Sequence, residues 1–514
     1  MSGIGTTRTR RAGVATAAAL ALLTTGAWQV GGTASAAGAP TEVAAPSAAP
    51  AVSLLRATRQ TTAPLYDGRA YVELGVHVVA GDDPFEVRVT RPSYRDKLRA
   101  TVSDAAAVRA LPRGFVKEDF SGLRRFFRLT VVDRAGSTVV DRRLPFCPNS
   151  YAQVRRRVDA PSTSPYGYGC EANRYALGQV WGLQAGWATP ALEGVSLPLQ
   201  RGRYRATLSI SPGWVSRLGL TDDTSATVRF TVVPSEDGEG EEMRRDHVGT
   251  SSATEKRDVR PSGSALRRLP ETDAASATAD GAVLSDLRSL PAWGIRMQGN
   301  QLQFSATVWN AGPSPLVVDA FRRGTDSDLM DAHQYFYDSD GRQVGHAPVG
   351  TMEWDARDGH HHWHFTDFAS YRLLDADKRV VVRSRKEAFC LANTDAVDYT
   401  VPGANWRPDN TDLHTSCGDR GSVAVRQTLE TGSGDTYAQF LPGQSFNVRN
   451  LPNGVYYIQV LANPEGALHE SSTANNAALR RVALGGRPGK RTVRVSQVGV
   501  IKEPPVEDGF RRVR

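Results

Sequence analysis

The sequence is poor in cysteine, with 4 in 514 residues and none in a C-x-x-C pair. This argues against a metal site built from cysteines. Long stretches with helical periodicity are also scarce, whereas short runs that alternate apolar and polar residues are frequent, which favours an all-β protein. Apart from one apolar segment near the N-terminus, no run of about 20 apolar residues occurs. We therefore expect no transmembrane segment in the mature chain.

Patterns typical of nucleic-acid binding are missing as well. The formal net charge of +8 is the only hint of such a partner. Part of this excess lies in the N-terminal segment, and more lies in the last 30 residues, where charged tails are usually solvated. Because no helix-turn-helix, zinc-finger or aromatic-basic pattern accompanies the charge, we expect no nucleic-acid partner.

The N-terminus has the three parts of an export signal. Arg8, Arg10 and Arg11 precede an apolar stretch over residues 12–27, and Ala34-Ser35-Ala36 provides small residues for cleavage. This arrangement predicts a signal peptide over residues 1–36 and a secreted, extracellular protein.

Export changes the interpretation of the cysteines. An even number of cysteines in an exported chain favours disulfides, and these four fall into two local pairs. We predict one bridge between Cys147 and Cys170 and another between Cys390 and Cys417.

Shifts in composition divide the chain further, and two β-sandwiches are predicted, the first of them immunoglobulin-like. The predicted segments are a disordered leader over 37–60, a β-sandwich of unknown role over 61–234, a linker over 235–277, a second β-sandwich over 278–486 and a basic disordered tail over 487–514.

Several runs predict individual strands and hairpins. Residues 71–76 alternate like a strand, and residues 127–132 and 137–140 flank the turn Asp133-Arg134-Ala135-Gly136. The pair Asp340-Gly341 and the segment 451–454 stand in the same way between strand-like runs, so we expect three hairpins in all.

Four of the ten histidines occur within residues 360–364. In an extended strand, side chains alternate between faces, so His360, His362 and His364 would share one face, with Trp363 on the other. Three imidazoles on one face predict a metal site, and copper and zinc both suit nitrogen ligands. On the histidines alone, the choice between these metals stays open.

The residues around this run resemble the lysyl oxidase family, most closely its secreted bacterial members. That family has an H-x-H-x-H copper site after a Glu-Trp pair, as at Glu353-Trp354 here. Lys386 precedes Phe389-Cys390-Leu391, and Tyr437 follows Asp435-Thr436, as in the family. Glu470 and Asn475-Asn476 resemble a motif near the end of the family's domain.

The resemblance implies a copper amine oxidase. Copper would be held by His360, His362 and His364, and Lys386 and Tyr437 would form the built-in cofactor lysine tyrosylquinone. Such an enzyme converts primary amines, either peptidyl lysine or small amines, to aldehydes with molecular oxygen and releases hydrogen peroxide and ammonia. One departure is that Trp363 stands where the family has tyrosine, which bears on substrate preference.

The catalytic base and two other functions remain open on the sequence. Asp435 is a candidate base because it lies two residues from Tyr437 on one strand, although it could equally cap a turn after Gly434. A zinc-dependent hydrolase would use the histidines without needing Lys386 or Tyr437. A non-catalytic copper-binding protein of the cell envelope would bind the metal but form no quinone.

Overall fold

The computed structural model describes most of the chain after residue 50. The described stretches are residues 51–104, 107–235, 281–357, 361–384, 388–408 and 413–503. They lie within one compact unit over 48–514. The predicted signal peptide and most of the predicted leader and linker lie outside the described residues.

The first region consists of strands and one short helix. Its elements are β1 (Val52–Arg56), β2 (Gln60–Tyr66), β3 (Arg69–Val72), β4 (Val76–Ala80), β5 (Phe85–Thr90), β6 (Arg99–Asp104), β7 (Ala107–Leu111), β8 (Leu123–Val132), β9 (Thr138–Phe146), β10 (Val154–Arg155), β11 (Gly178–Leu183), β12 (Trp187–Pro190), β13 (Val195–Leu197), β14 (Gly202–Ile210), α1 (Pro212–Leu218) and β15 (Ser225–Pro234). They form sheets in the orders β1-β4-β12-β10, β11-β5-β6-β7 and β13-β3-β2-β15-β14-β8-β9. Within the described residues these sheets have four, four and seven strands. An immunoglobulin sandwich has two sheets with fewer strands in total. The three sheets described here do not match that arrangement directly, so the immunoglobulin-like detail stays a prediction.

The N-terminal boundary of this region differs from the prediction. We expected a disordered leader up to residue 60, but β1 lies inside that range and pairs antiparallel with β4. Val52 and Leu54 alternate along β1 and are buried, so two apolar side chains are enough to give this short stretch a core face. The strand predicted over residues 71–76 is interrupted, because Gly75 has φ +58° and separates β3 from β4.

The second region is also built from strands. Its elements are β16 (Leu287–Ser289), β17 (Trp293–Gln298), β18 (Gln301–Asn310), β19 (Leu316–Arg322), β20 (Leu329–Tyr337), β21 (Gln343–Asp355), β22 (His362–Phe365), β23 (Ala369–Leu374), β24 (Val380–Arg383), β25 (Asp395–Ala396), β26 (Ala424–Leu429), β27 (Ser433–Tyr437), β28 (Ser445–Asn447), β29 (Gly454–Ala462), β30 (Ala477–Arg487) and β31 (Lys490–Val495). One sheet has the order β16-β18-β27-β25, with β17 and β28 also paired to β18. The others have the orders β22-β21-β20-β19-β26 and β24-β23-β29-β30-β31. The all-β fold class is confirmed.

Two of the three predicted hairpins are confirmed, and the third is wrong. Strands β8 and β9 pair across the turn at residues 133–136, and β20 pairs with β21 across Asp340-Gly341. Strands β28 and β29 are consecutive but do not pair with each other, because β28 joins β18 while β29 lies between β23 and β30.

The predicted disordered tail is wrong as far as residue 503. Strand β31 pairs with β30 across a tight turn in which Gly486 and Gly489 have φ of +76° and +80°. The guanidinium of Arg491 is buried and donates to the carbonyls of Arg449 and Leu451. Arg491 of this basic stretch therefore serves the fold, while residues 504–514 lie outside the described part.

Glu470 connects the first strand of this region, β16, with the segments around β29 and β30. Its carboxylate accepts hydrogen bonds from the side chains of Asn463 and Asn476 at 2.7 Å each and from the backbone N–H of Leu287 at 2.9 Å. Three donors satisfy a half-buried carboxylate, so this part of the motif that resembles the family stabilises the domain.

Candidate metal and cofactor site

The two described histidines of the predicted metal site lie on β22, beside the end of β21. The register places Trp354 opposite Trp363 and Asp355 opposite His362. Trp363 is fully buried, and its indole N–H donates to the carbonyl of Asp419 at 2.9 Å. Because strand side chains alternate, burying Trp363 in the core directs His362 and His364 to the other face.

The strand is shorter than predicted. It begins at His362, and His361 is exposed with φ +44°, in the left-handed region. The alternation expected over residues 360–364 therefore does not extend back through His361. His360, the third predicted ligand, lies outside the described residues.

The rings of His362 and His364 converge on one point. Their Nε2 atoms are 2.9 Å apart, and the Nδ1 atom of His364 lies 3.2 Å from the Oδ2 atom of Asp355. Both His364 and Asp355 are buried. A hydrogen bond donated from Nδ1 leaves Nε2 with its lone pair, which is the form that binds a metal.

Asp355 is itself held in its charged form. Arg357 donates to both carboxylate oxygens, and this hydrogen bonding holds the pKa of Asp355 well below its ordinary value, with a further contribution from His364. A carboxylate behind a ligating imidazole is the usual second layer of a metal site.

The geometry fits a metal ion such as copper or zinc. Two nitrogens bound to one ion at about 2.0–2.1 Å lie about 3 Å apart when the angle between them is near 90°, close to the 2.9 Å observed. No group of three or more metal-ligating side chains occurs among the described residues, which exclude His360. The three-histidine ligand set thus stays a prediction.

Tyr437 ends β27 and lies half-buried beneath an aromatic ring. Its hydroxyl accepts a hydrogen bond from the backbone N–H of Cys390 at 3.0 Å and lies 3.3 Å from the carbonyl of the same residue. The ring of Phe389 meets the Tyr437 ring edge-on at 4.7 Å. Burial, followed by the charge of Asp435 and the phenol of Tyr371, raises the pKa of Tyr437 well above its ordinary value.

The segment that contacts Tyr437 also borders the histidine strand. Phe389 and Phe365 exchange backbone hydrogen bonds of 2.6 and 2.9 Å, and Phe365 directly follows His364. Along the same edge of β22, the backbone N–H of Trp363 donates to the carbonyl of Cys417 at 2.9 Å. The histidines and Tyr437 are thus brought to the two sides of one short segment.

A disulfide joins the two segments that border this edge of β22. Cys390 and Cys417 are bridged with their Cα atoms 5.9 Å apart, and Cys147 and Cys170 form the second bridge with a Cα separation of 5.7 Å. Both predicted disulfides are confirmed. The bridge at Cys390 fixes the residue whose backbone contacts the hydroxyl of Tyr437.

Lys386, the other predicted cofactor precursor, lies outside the described residues. The described chain resumes just before Phe389 and ends before the gap at Ser384. Ser384 donates from its backbone to the carbonyl of Tyr371 at 2.9 Å and from its hydroxyl to Gly443 at 2.7 Å.

Asp435 is buried within β27, opposite Val308 of β18. The alternative that it caps a turn is wrong, because it lies inside a paired strand. Its negative charge contributes to raising the pKa of Tyr437 and also that of Tyr371, so the carboxylate lies near both phenols. Its role as the base stays a prediction.

Sequence reasoning gave no role to Asp355, Tyr371 or Phe389. Asp355 directly follows the Glu-Trp pair, but its place behind His364 depends on the pairing of β21 with β22. Phe389 belongs to the motif around Lys386, but only the packing shows its ring 5.9 Å from that of Tyr371 and beside Tyr437.

Comparison with known families identifies the part of the chain that contains this site. The family model described as lysyl oxidase matches residues 329–493. This part of the chain belongs to the lysyl oxidase family. The lysyl oxidase domain includes β21, β22 and β27, whereas the first region lies outside the matched residues.

Individual relatives agree with the family match. The protein-lysine 6-oxidase of Rattus norvegicus is 34% identical over 125 residues, or 24% of this chain and 26% of the relative. The protein-lysine 6-oxidase of Homo sapiens is 33% identical over 125 residues, with the same coverage of 24% and 26%. Lysyl oxidase homolog 3B of Danio rerio is 27% identical over 138 residues, which are 27% of this chain and 15% of the relative. The chain thus spans about a quarter or less of the length of these relatives.

Proposed function

We propose that this chain is a secreted copper- and lysine tyrosylquinone-dependent amine oxidase. The observation that carries the proposal is the convergence of the Nε2 atoms of His362 and His364 at 2.9 Å, one short segment away from Tyr437. In the overall reaction, one primary amine, one dioxygen and one water give one aldehyde, one ammonia and one hydrogen peroxide.

The proposed ligands of copper are His360, His362 and His364. Asp355 would keep Nδ1 of His364 protonated and its Nε2 directed at the metal, as the 3.2 Å contact supports. The cofactor would form as a covalent bond between Lys386 and oxidised Tyr437. When present, copper supports the oxidation of the tyrosine by dioxygen, and the quinone accepts the two electrons that the amine loses.

The other residues of the site would orient the Tyr437 ring and remove a proton from the substrate. The backbone of Cys390 and the ring of Phe389 hold the Tyr437 ring in one orientation. Asp435 is the proposed base that removes the proton from the carbon next to the substrate nitrogen, because it is a carboxylate on the strand of Tyr437.

The proposed substrate class is primary amines, either peptidyl lysine or small amines. Its support is that the relatives in Rattus norvegicus and Homo sapiens are named protein-lysine 6-oxidase. The proposed extracellular location rests on the N-terminal signal sequence. Among the described residues, the structure has no helix with the length and apolar character that a membrane crossing requires.

The deciding experiment compares copper-loaded wild type with Tyr437→Phe. We expect a visible quinone band, a mass change from the Lys–Tyr crosslink and amine-dependent peroxide release in the wild type, and none of these in the variant. Tyr456→Phe is the matched control, since the Tyr456 hydroxyl instead donates to the carbonyl of Pro452. A wild type with neither band nor crosslink would refute the oxidase and leave the zinc hydrolase and the non-catalytic copper protein.

The same assay distinguishes the role of a catalytic base from the role of a cofactor precursor. Asp435→Asn should still form the quinone, while turnover falls by about 10²-fold or more, because a general base contributes about 10²–10⁴-fold. Undiminished turnover would remove Asp435 from the role of base.

A further inference from the structure

The first region is joined to the lysyl oxidase domain by backbone hydrogen bonds. The N–H of Leu177 donates to the carbonyl of Val397 at 2.7 Å, and the N–H of Tyr399 donates to the carbonyl of Gly178 at 3.0 Å. A side chain on Gly178 would collide with those of Asp398 and Thr400. The two backbones therefore meet in direct contact, and glycine is required where they meet.

An apolar cluster with side chains from both regions lies beside this contact. Tyr175 of the first region packs with Leu290, Trp309 and Val397 of the second region and with Ile501 near the C-terminus. All five side chains are at most 6% exposed. The contact thus has the burial of a domain core, which indicates a fixed arrangement of the two regions.

Next to this cluster, one side chain of the first region reaches β18, the strand paired with that of Tyr437. Asn173 is only 4% exposed, and its Nδ2 donates to the hydroxyl of Thr307 at 3.3 Å. That hydroxyl is 2.6 Å from the hydroxyl of Thr436, the residue immediately before Tyr437. The Asn173 side chain is also fixed within the first region, because its Oδ1 accepts a hydrogen bond from the backbone N–H of Tyr175 at 2.9 Å.

Asp395 completes the cluster from the neighbouring strand. Burial raises the pKa of Asp395, and hydrogen bonding from the side chains of Thr436 and Asn173 opposes this shift, which places its carboxylate near both. Asp395 lies on β25, which has only two residues and pairs with Ser433 and Gly434 of β27. The edge strand that covers β27 is therefore very short, and the Nδ2 of Asn173 bridges it to Thr307 on the opposite side.

We propose that Asn173 is a positioning residue for Tyr437, and that the first region is in this way a working part of the oxidase site. Through Asp395, Thr307 and Thr436 it holds the end of β27, and so fixes the Tyr437 ring against Phe389 and Cys390. The effect on cofactor formation rests on the proposed function, whereas the effect on β27 does not.

The test uses an isosteric change in the full chain. Asn173→Asp keeps the Oδ1 acceptor for Tyr175 but removes the Nδ2 donor and adds a carboxylate next to Asp395. The matched control is Asn149→Asp in the same region. The Asn149 side chain is also buried, with Oδ1 accepting the N–H of Gly182 at 2.8 Å and Nδ2 donating to Val180, both inside the first region.

Two readouts are needed. In the metal-free protein, hydrogen exchange at residues 433–437 should be about tenfold faster in Asn173→Asp, since local opening becomes easier when charged hydrogen bonds are lost. After copper addition, the quinone band should appear at least several-fold more slowly. The double variant Asn173→Asp/Asp395→Asn restores a donor opposite an acceptor and should recover both rates, while Asn149→Asp should match the wild type at residues 433–437.

Each result decides a different claim. Unchanged exchange and quinone formation in Asn173→Asp would overturn the positioning role. So would equal acceleration in Asn149→Asp, or no recovery in the double variant. A wild type that forms no quinone would instead refute the proposed oxidase, and the exchange result would still decide whether Asn173 holds β27.

Discussion

At the scale of residues, the carboxylate of Asp355 lies 3.2 Å from Nδ1 of His364, while Nε2 of the same ring faces His362. Asp355→Asn keeps the shape but removes the charge that fixes the imidazole. We expect copper affinity to fall about 10–100-fold, which is typical for the loss of such a partner. Competition with a chelator measures this affinity.

The control for this prediction is Asp331→Asn. Asp331 is an exposed aspartate on the adjacent strand β20 whose ion-pair partner is Arg323. Its replacement should leave copper affinity unchanged. If Asp355→Asn bound copper as tightly as the wild type, the contact with His364 would have no part in holding the metal.

At the scale of elements, the disulfide between Cys390 and Cys417 joins the two segments that border β22. Replacing both cysteines with alanine should lower the free energy of unfolding by about 2–4 kcal/mol and also weaken copper binding, because Phe389 and Cys417 hold the histidine strand. Denaturant titration and chelator competition measure the two effects.

The other disulfide provides a matched control. Cys147 and Cys170 are 23 residues apart, against 27 for Cys390 and Cys417, so the loss of chain constraint is similar. Removing that bridge should destabilise the protein by a similar amount with copper affinity retained. Equal losses of affinity in the two variants would show that the effect is not local to β22.

The histidine strand also shows how far the sequence could predict the site. The alternation that buries Trp363 and directs His362 and His364 to one face follows from the period of two and was predicted. The break at His361 and the contact of Asp355 with His364 depend on where β22 starts and how it pairs with β21. Neither is encoded in the local pattern, because register is set by the partner strand.

Composition misled the prediction at both ends of the folded part. Residues 52–56 and 487–503 are poor in long apolar runs, yet Val52 and Ile501 each reach a core, and the guanidinium of Arg491 finds backbone carbonyls. A few long-range contacts were enough to order these stretches. Such contacts join residues far apart in sequence, so composition alone could not reveal them.

At the scale of the whole molecule, three distant parts of the chain meet at one buried charge. Arg480 of β30 is 3% exposed and donates to the carboxylate of Glu503 at 2.5 Å, and that carboxylate also accepts the hydroxyl of Tyr175 at 2.5 Å. Tyr175 belongs to the first region, Arg480 to the lysyl oxidase domain and Glu503 to the C-terminal segment. This cluster therefore holds both regions and the chain end together.

Glu503→Gln should destabilise the protein as a whole, because it leaves the buried guanidinium of Arg480 without its charged partner. We expect the free energy of unfolding to fall by about 1–3 kcal/mol, since hydrogen bonds to charged groups contribute about 1.5–3 kcal/mol and Glu503 is partly exposed. The control is Asp340→Asn, which removes an exposed ion pair with Arg342 and should change stability by less than about 1 kcal/mol. Denaturant titrations of both variants, followed by tryptophan fluorescence, measure the difference. Equal stability of Glu503→Gln and the wild type would mean that the C-terminal segment does not help to hold the two regions together.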